Sequence, residues 1–153
     1  MTIDATIAYG RPGIRPALEV LIPSDYLQAV ALLGAIDLLW ANTHAAAFAR
    51  AEPVPPLYLH AAVRPTRVTP TPEAYLVDAT VRAVAAVSAG VDALSVAPFS
   101  EAPEHRRQAR NLSHLLQLEA GMGGGEDALA GAAWFGEAAL AIARAAWSSQ
   151  TPA

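Results

Sequence analysis

Leu57-Tyr58-Leu59-His60-Ala61-Ala62-Val63 and Asp92-Ala93-Leu94-Ser95-Val96-Ala97 frame the stretch that decides the fold. Each is a short apolar run of strand length, and Pro98 closes the second. Between them lies a helix. Thr71-Pro72-Glu73 opens it with an N-cap hydroxyl, a proline at the first helical position and an acid near the positive end. Leu76, Thr80, Ala83, Val84 and Val87 are expected to face inward, and Gly90 to stop the helix in the left-handed conformation. Strand, helix and strand in that order predict a parallel pair joined by a right-handed crossover.

The same unit recurs on both sides. Leu18-Glu19-Val20-Leu21-Ile22 reads as a strand stopped by Pro23, and Ser24 or Asp25 caps the helix that follows. Tyr26, Val30, Leu33, Ile36 and Trp40 form its apolar stripe, with an end expected near Asn42 to His44 and an Ala-rich extension over Ala45–Ala51. Pro53, Pro55 and Pro56 make a stiff linker. After the third strand, Ser100 is expected to cap a helix over roughly 101–120, with Glu104, Arg106, Arg107 and Arg110 outside and Leu112, Leu115 and Leu116 inside. Gly121 and Gly123-Gly124-Gly125 form a loop, and a last helix runs from about Gly136 to Ser148 with Leu140, Ala143 and Trp147 on one side. A short strand over Ala5–Tyr9 precedes all of this in a loop-rich segment. Alternating strands and helices give an α/β class with a parallel sheet.

Composition narrows the chemistry. The 153 residues predict a single domain, 1–153, and 54% hydrophobic against 16% charged residues marks a folded chain. A net charge of −4 argues against a nucleic-acid partner, because there is no basic excess to neutralise phosphates. Cysteine is absent, which removes disulfides, thiolate catalysis and Cys-type metal sites. Lysine is absent as well, which excludes a Schiff base and a P-loop. Met1–Gly10 carries Asp4 and lacks a basic segment with an apolar core, and the apolar run Ala29–Ile36 is too short to span a bilayer. The expectation is a soluble, cytoplasmic protein with no membrane partner.

The candidate site begins with His60. Strand alternation puts Tyr58, His60 and Ala62 on one face, and Ala93, Ser95 and Ala97 on one face of the next strand. A barrel normally fills its centre with bulky branched side chains, so a face of small ones would leave room for a ligand. The plainer reading of His60 is a satisfied core histidine. His44, His60, His105 and His114 share no metal-ligand spacing. Gly123–Gly125 lies between helices with no strand before it, so it is a linker rather than a phosphate loop. Arg106, Arg107 and Arg110 read first as a solvated helix face, with phosphate binding as the alternative.

The order of these segments resembles the carboxy-terminal half of the substrate barrel of methylmalonyl-CoA mutases, the adenosylcobalamin-dependent acyl-CoA mutases. Ile36-Asp37-Leu38-Leu39-Trp40-Ala41 is similar to that family's Arg-Leu-Leu-Trp-Ala helix end, and Leu59-His60-Ala61 to its His-bearing strand. Thr80-Val81-Arg82-Ala83-Val84 with Gly90-Val91-Asp92-Ala93-Leu94 resembles its Arg-Thr-Thr-x-Glu-Ala helix and Gly-Ala-Asp-Ser-Leu strand. Ala109-Arg110-Asn111 and Glu119-Ala120-Gly121 are similar to its Ala-Arg-Asn and Glu-Glu-Ser-Gly pair. Asp127, Gly131, Trp134 and Glu137, then Ala143-Arg144-Ala145-Ala146-Trp147, complete a resemblance over about 18–148.

The resemblance implies a partial, or half, parallel (β/α) TIM-type barrel and an acyl-CoA ligand threading its lumen. It implies that His60 and Ser95 face the substrate, and that Glu101 and Ala102, in a Ser-Glu-Ala resembling the family's Asp-Glu-Ala, approach the corrin. Other positions depart from the family. Ala17 and Glu19 stand where an arginine and a serine touch substrate, Ala62 replaces a glutamine or arginine, and Asp92-Ala93 replaces a Gln-Ser pair. The expectation is therefore a mutase subunit or truncated relative, not catalytic alone and without catalytic residues of its own. Adenosylcobalamin is implied by the family and would be bound mainly by a partner chain; the association expected is a homodimer or a complex with a larger mutase chain that carries the family's catalytic tyrosine, histidine and arginine. A stand-alone acyl-CoA binding module and a purely structural partner are the alternatives.

Overall fold

The computed structural model describes residues 15–48, 53–66, 70–122 and 131–149. The expected strand Ala5–Tyr9, the Gly123–Gly125 loop, Asp127 and the end of the Ala45–Ala51 extension lie outside the described residues. The elements run β1 (Ala17–Leu21), α1 (Tyr26–Ala47), β2 (Tyr58–Val63), α2 (Pro72–Ser88), β3 (Ala93–Val96), α3 (Pro103–His114) with a π-helical turn (Leu115–Glu119), and α4 (Ala133–Ser148). The mixed α/β class and the order of elements match the sequence reading.

The strands form one parallel sheet in the order β1-β2-β3. His60 pairs with Ala93 and Ala62 with Ser95 in the β2–β3 register. Tyr58 N–H donates to the Pro16 carbonyl at 2.8 Å, and Ile22 N–H to the Ala62 carbonyl at 3.0 Å, which ties β1 to β2. Asp92 locks the start of β3. Its N–H donates to the Leu59 carbonyl at 3.0 Å, and its carboxylate accepts from Leu59 N–H at 2.9 Å.

The described residues fall into two compact units. One holds 19–30, 59–66 and 70–122. Here Thr71 caps α2 as its sequence requires, accepting from Ala74 N–H at 3.2 Å. Gly90 follows the helix with φ 76°, a conformation a side chain would strain. The buried face of α2 is Tyr75, Ala79, Arg82, Ala83 and Ala86. It is not the expected stripe through Leu76, Thr80 and Val87, of which Ala83 alone is fully buried. A single charged residue explains the rotation, because Arg82 is 1% exposed. Its guanidinium pairs with Asp78 one turn earlier and donates to the carbonyls of Ile22 (3.3 Å) and Arg64 (3.0 Å). These carbonyls stand immediately beyond the ends of β1 and β2, so Arg82 holds two strand ends together.

α3 also begins later than expected. Ser100 does not cap it: Pro103 takes the first helical position and pushes Ala102, the actual N-cap, into extended conformation. Ser100 Oγ instead accepts from Ala102 N–H at 3.3 Å and bonds the His105 ring at 2.7 Å. The π-helical turn then changes the phase of the apolar face. Ala109, Leu112 and Leu116 are buried, while Leu115 points outward.

The other unit holds 15–18, 31–48, 53–58 and 131–149. Ala35 of α1 packs on Ala139 and Ala143 of α4, with Leu39 and Ile142 at the margin. Small residues permit this close approach, since a Cβ at Gly34 would lie 3.2 Å from that of Ala139. Leu140 and Trp147 share one side of α4 with Ala143, as expected, lining an open cleft with Leu39 and staying partly exposed. Trp40 Nε1–H donates to the Pro55 carbonyl at 2.7 Å, which fixes the proline linker. α1 is the one described helix long and apolar enough to cross a bilayer by composition, although the apolar run Ala29–Ile36 is not. Its buried residues, among them Ala29, Leu33, Ala35 and Trp40, are used in packing.

Candidate functional site

Three strands bring three polar side chains into one row. Glu19 of β1, His60 of β2 and Ser95 of β3 sit at alternating positions that point to the same side of the sheet, away from buried Val20, Leu59 and Ala61. His60 Nε2 lies 2.9 Å from Ser95 Oγ. His60 Nδ1 lies 3.4 Å from Glu19 Oε2, and Arg64 Nη2 donates to Glu19 Oε1 at 2.8 Å.

An ionised carboxylate only accepts, so a neutral imidazole facing Glu19 carries its proton on Nδ1. Nε2 is then the lone pair that accepts the Ser95 hydroxyl proton. The His60 side chain is 33% exposed and Ser95 is exposed, so the row opens to solvent. Ala62 and Ala93, the strand partners of Ser95 and His60, are the small neighbours on this side. His60 is neither packed under α2 nor a sealed core histidine.

Glu19 and Arg64 were not singled out by the sequence as site residues. Glu19 read there only as a departure from the family pattern. Strand alternation does place it on the face of Ala17 and Leu21, but nothing in the sequence fixes the register that brings it opposite His60.

Glu101 and Ala102 stand elsewhere, beyond the end of β3. Glu101 is largely exposed and pairs with Arg106, close to it on α3. Both line an open cleft of about 620 Å³ with Val96, Pro98, Pro103 and Ala109. The cleft offers surface but no cobalt ligand. His105, the nearest imidazole in sequence, is held by Ser100 and meets Phe99 edge-on at 5.5 Å. No group of three metal-ligating side chains occurs among the described residues. The lining of this cleft includes no imidazole that could serve as a lower cobalt ligand.

A three-strand parallel sheet with its helices and an open polar row defines a mixed α/β protein. The methylmalonyl-CoA mutase family model matches residues 15–150, and the chain belongs to that family. That family is known for adenosylcobalamin-dependent isomerisation. No curated protein matches the chain.

Proposed function

We propose that residues 15–150 serve as a segment of a mutase substrate barrel, presenting the Glu19–His60–Ser95 face to an acyl-CoA. The observation that carries this is the position of His60 on an open face, bonded to Ser95 and flanked by Ala62 and Ala93. An imidazole held by a hydrogen bond to Ser95 beside small side chains leaves room for a thioester or a carboxylate. In this reading the three strands belong to a partial (β/α) barrel. The described sheet has two outer strands, β1 and β3, and an outer strand invites pairing. A larger mutase chain completes the barrel and carries the corrin and the radical chemistry; a second copy would cover the sheet edges only. The family's substrate-touching positions are changed at Ala17, Glu19, Ala62 and Ala93. The chain alone with added adenosylcobalamin is therefore expected not to isomerise methylmalonyl-CoA, and turnover above a denatured control would contradict this.

The test is calorimetric titration of the purified chain with a thioether analogue of acetyl-CoA, which cannot be cleaved. Saturable one-site binding that His60→Ala weakens supports the reading. Absence of binding, alone and with a mutase partner, overturns it.

A further inference from the structure

We propose that Ser95 is an acyl-accepting nucleophile, with His60 as its general base and Glu19 as the residue that positions the base. This rests on the acyl-CoA binding read above but goes beyond the mutase role: the substrate class is a CoA thioester, and the activity is acyl transfer to serine followed by hydrolysis, which consumes the thioester.

The geometry supplies three roles in sequence. Ser95 Oγ lies 2.9 Å from His60 Nε2, within reach for proton transfer. Glu19 Oε2 lies 3.4 Å from the other ring nitrogen and holds the tautomer that leaves Nε2 free to accept. Arg64, bonded to the second Glu19 oxygen at 2.8 Å, keeps that carboxylate in place. Nucleophile, base and a carboxylate on the far side of the base are recognised by geometry rather than by chain order or fold. Each comes from a different strand, so the sheet sets their spacing. Ser95 is exposed, and its strand partner is Ala62, so a carbonyl can approach Oγ.

The step balances without a co-reactant other than water. Ser95 Oγ attacks the thioester carbonyl carbon while its proton passes to His60 Nε2. The C–S bond breaks, and the departing CoA sulfur takes that proton. Water then attacks the serine ester, giving its proton to His60. The ester bond to Oγ breaks, and Oγ recovers the proton. The products are a free acid and CoA, and nothing is oxidised or reduced.

The composition makes the test unusually clean. With no cysteine in the chain, a thiol-reactive chromophore reads released CoA alone. With no lysine, the side chains that usually take acyl groups adventitiously are absent. The full-length chain is incubated with acetyl-CoA, CoA release is followed, and the acetyl group is mapped by peptide mass spectrometry. The expected result is release at least tenfold above that of Ser95→Ala and His60→Ala, with acetyl on Ser95. Glu19→Gln should lower turnover severalfold while KM holds, which a merely structural role would not do. Release equal to Ser95→Ala, or acetyl mapped only to other residues, overturns the proposal. The thioether analogue separates the two readings. If it binds and no transfer occurs, the nucleophile assignment fails and the binding reading stands; if neither occurs, both fail.

Discussion

His60 Nε2 and Ser95 Oγ lie 2.9 Å apart on neighbouring parallel strands. The pair is open to solvent, so it contributes little to stability. His60→Ala is expected to cost no more than about 1 kcal/mol in chemical unfolding. A loss of roughly 3 kcal/mol or more, the scale of a deleted core side chain, would return His60 to a structural role.

Arg82 is the opposite case. Its guanidinium is buried, with Asp78 and two backbone carbonyls as partners and its Nε without one. Removing it strands Asp78 and both carbonyls. Arg82→Ala should destabilise by roughly 3–5 kcal/mol. Arg82→Lys should recover only part of this, because an ammonium cannot reproduce the planar fork. Full recovery in lysine would show that charge alone matters at this position.

Tyr75 predicts how stability depends on alkaline pH. Burial pushes its hydroxyl above the usual tyrosine range; Arg82 lowers it somewhat and Asp78 raises it. The hydroxyl donates to the Ala97 carbonyl at 2.6 Å. Because the folded value exceeds the unfolded one, the contribution is complete below about pH 10 and fades as pH rises through the folded pKa. Tyr75→Phe should be less stable by about 1–2 kcal/mol near neutrality. Its stability should also fall less steeply than the parent's above about pH 10. The comparison is sharp, because a chain without lysine or cysteine leaves few other side chains titrating there. Equal slopes in denaturant melts across that range would remove Tyr75 as the cause.

The outer edges of β1 and β3, open among the described residues, predict association. Sedimentation velocity at micromolar concentration should show a dimer, or a complex once a mutase partner is added. A monomer under both conditions, with no apolar dye binding, would remove the partial-barrel account.

The βα order, the Thr71 cap and the Gly90 stop were legible because each rests on local chemistry: a side-chain acceptor, a missing N–H, a positive φ. The faces of His60 and Ser95 were legible from strand alternation, and their approach followed on the expectation that both faces point inward; the contact itself is set by the β2–β3 register. The buried face of α2 was not. Arg82 belongs to a residue type that composition assigns to solvent, and its partners are carbonyls far away in sequence. The start of α3 was misread because Ser100 is a good cap in isolation, whereas Pro103 sets the boundary. Glu19 was legible as a strand residue but not as a partner of His60, since that depends on β1–β2 register.

The most direct test of the central claim is titration of the parent chain and His60→Ala with the thioether acetyl-CoA analogue. The parent is expected to show one saturable site, His60→Ala an affinity at least tenfold weaker, and the two near-identical unfolding curves. Equal affinities, with a large loss of stability in the variant, would contradict the claim.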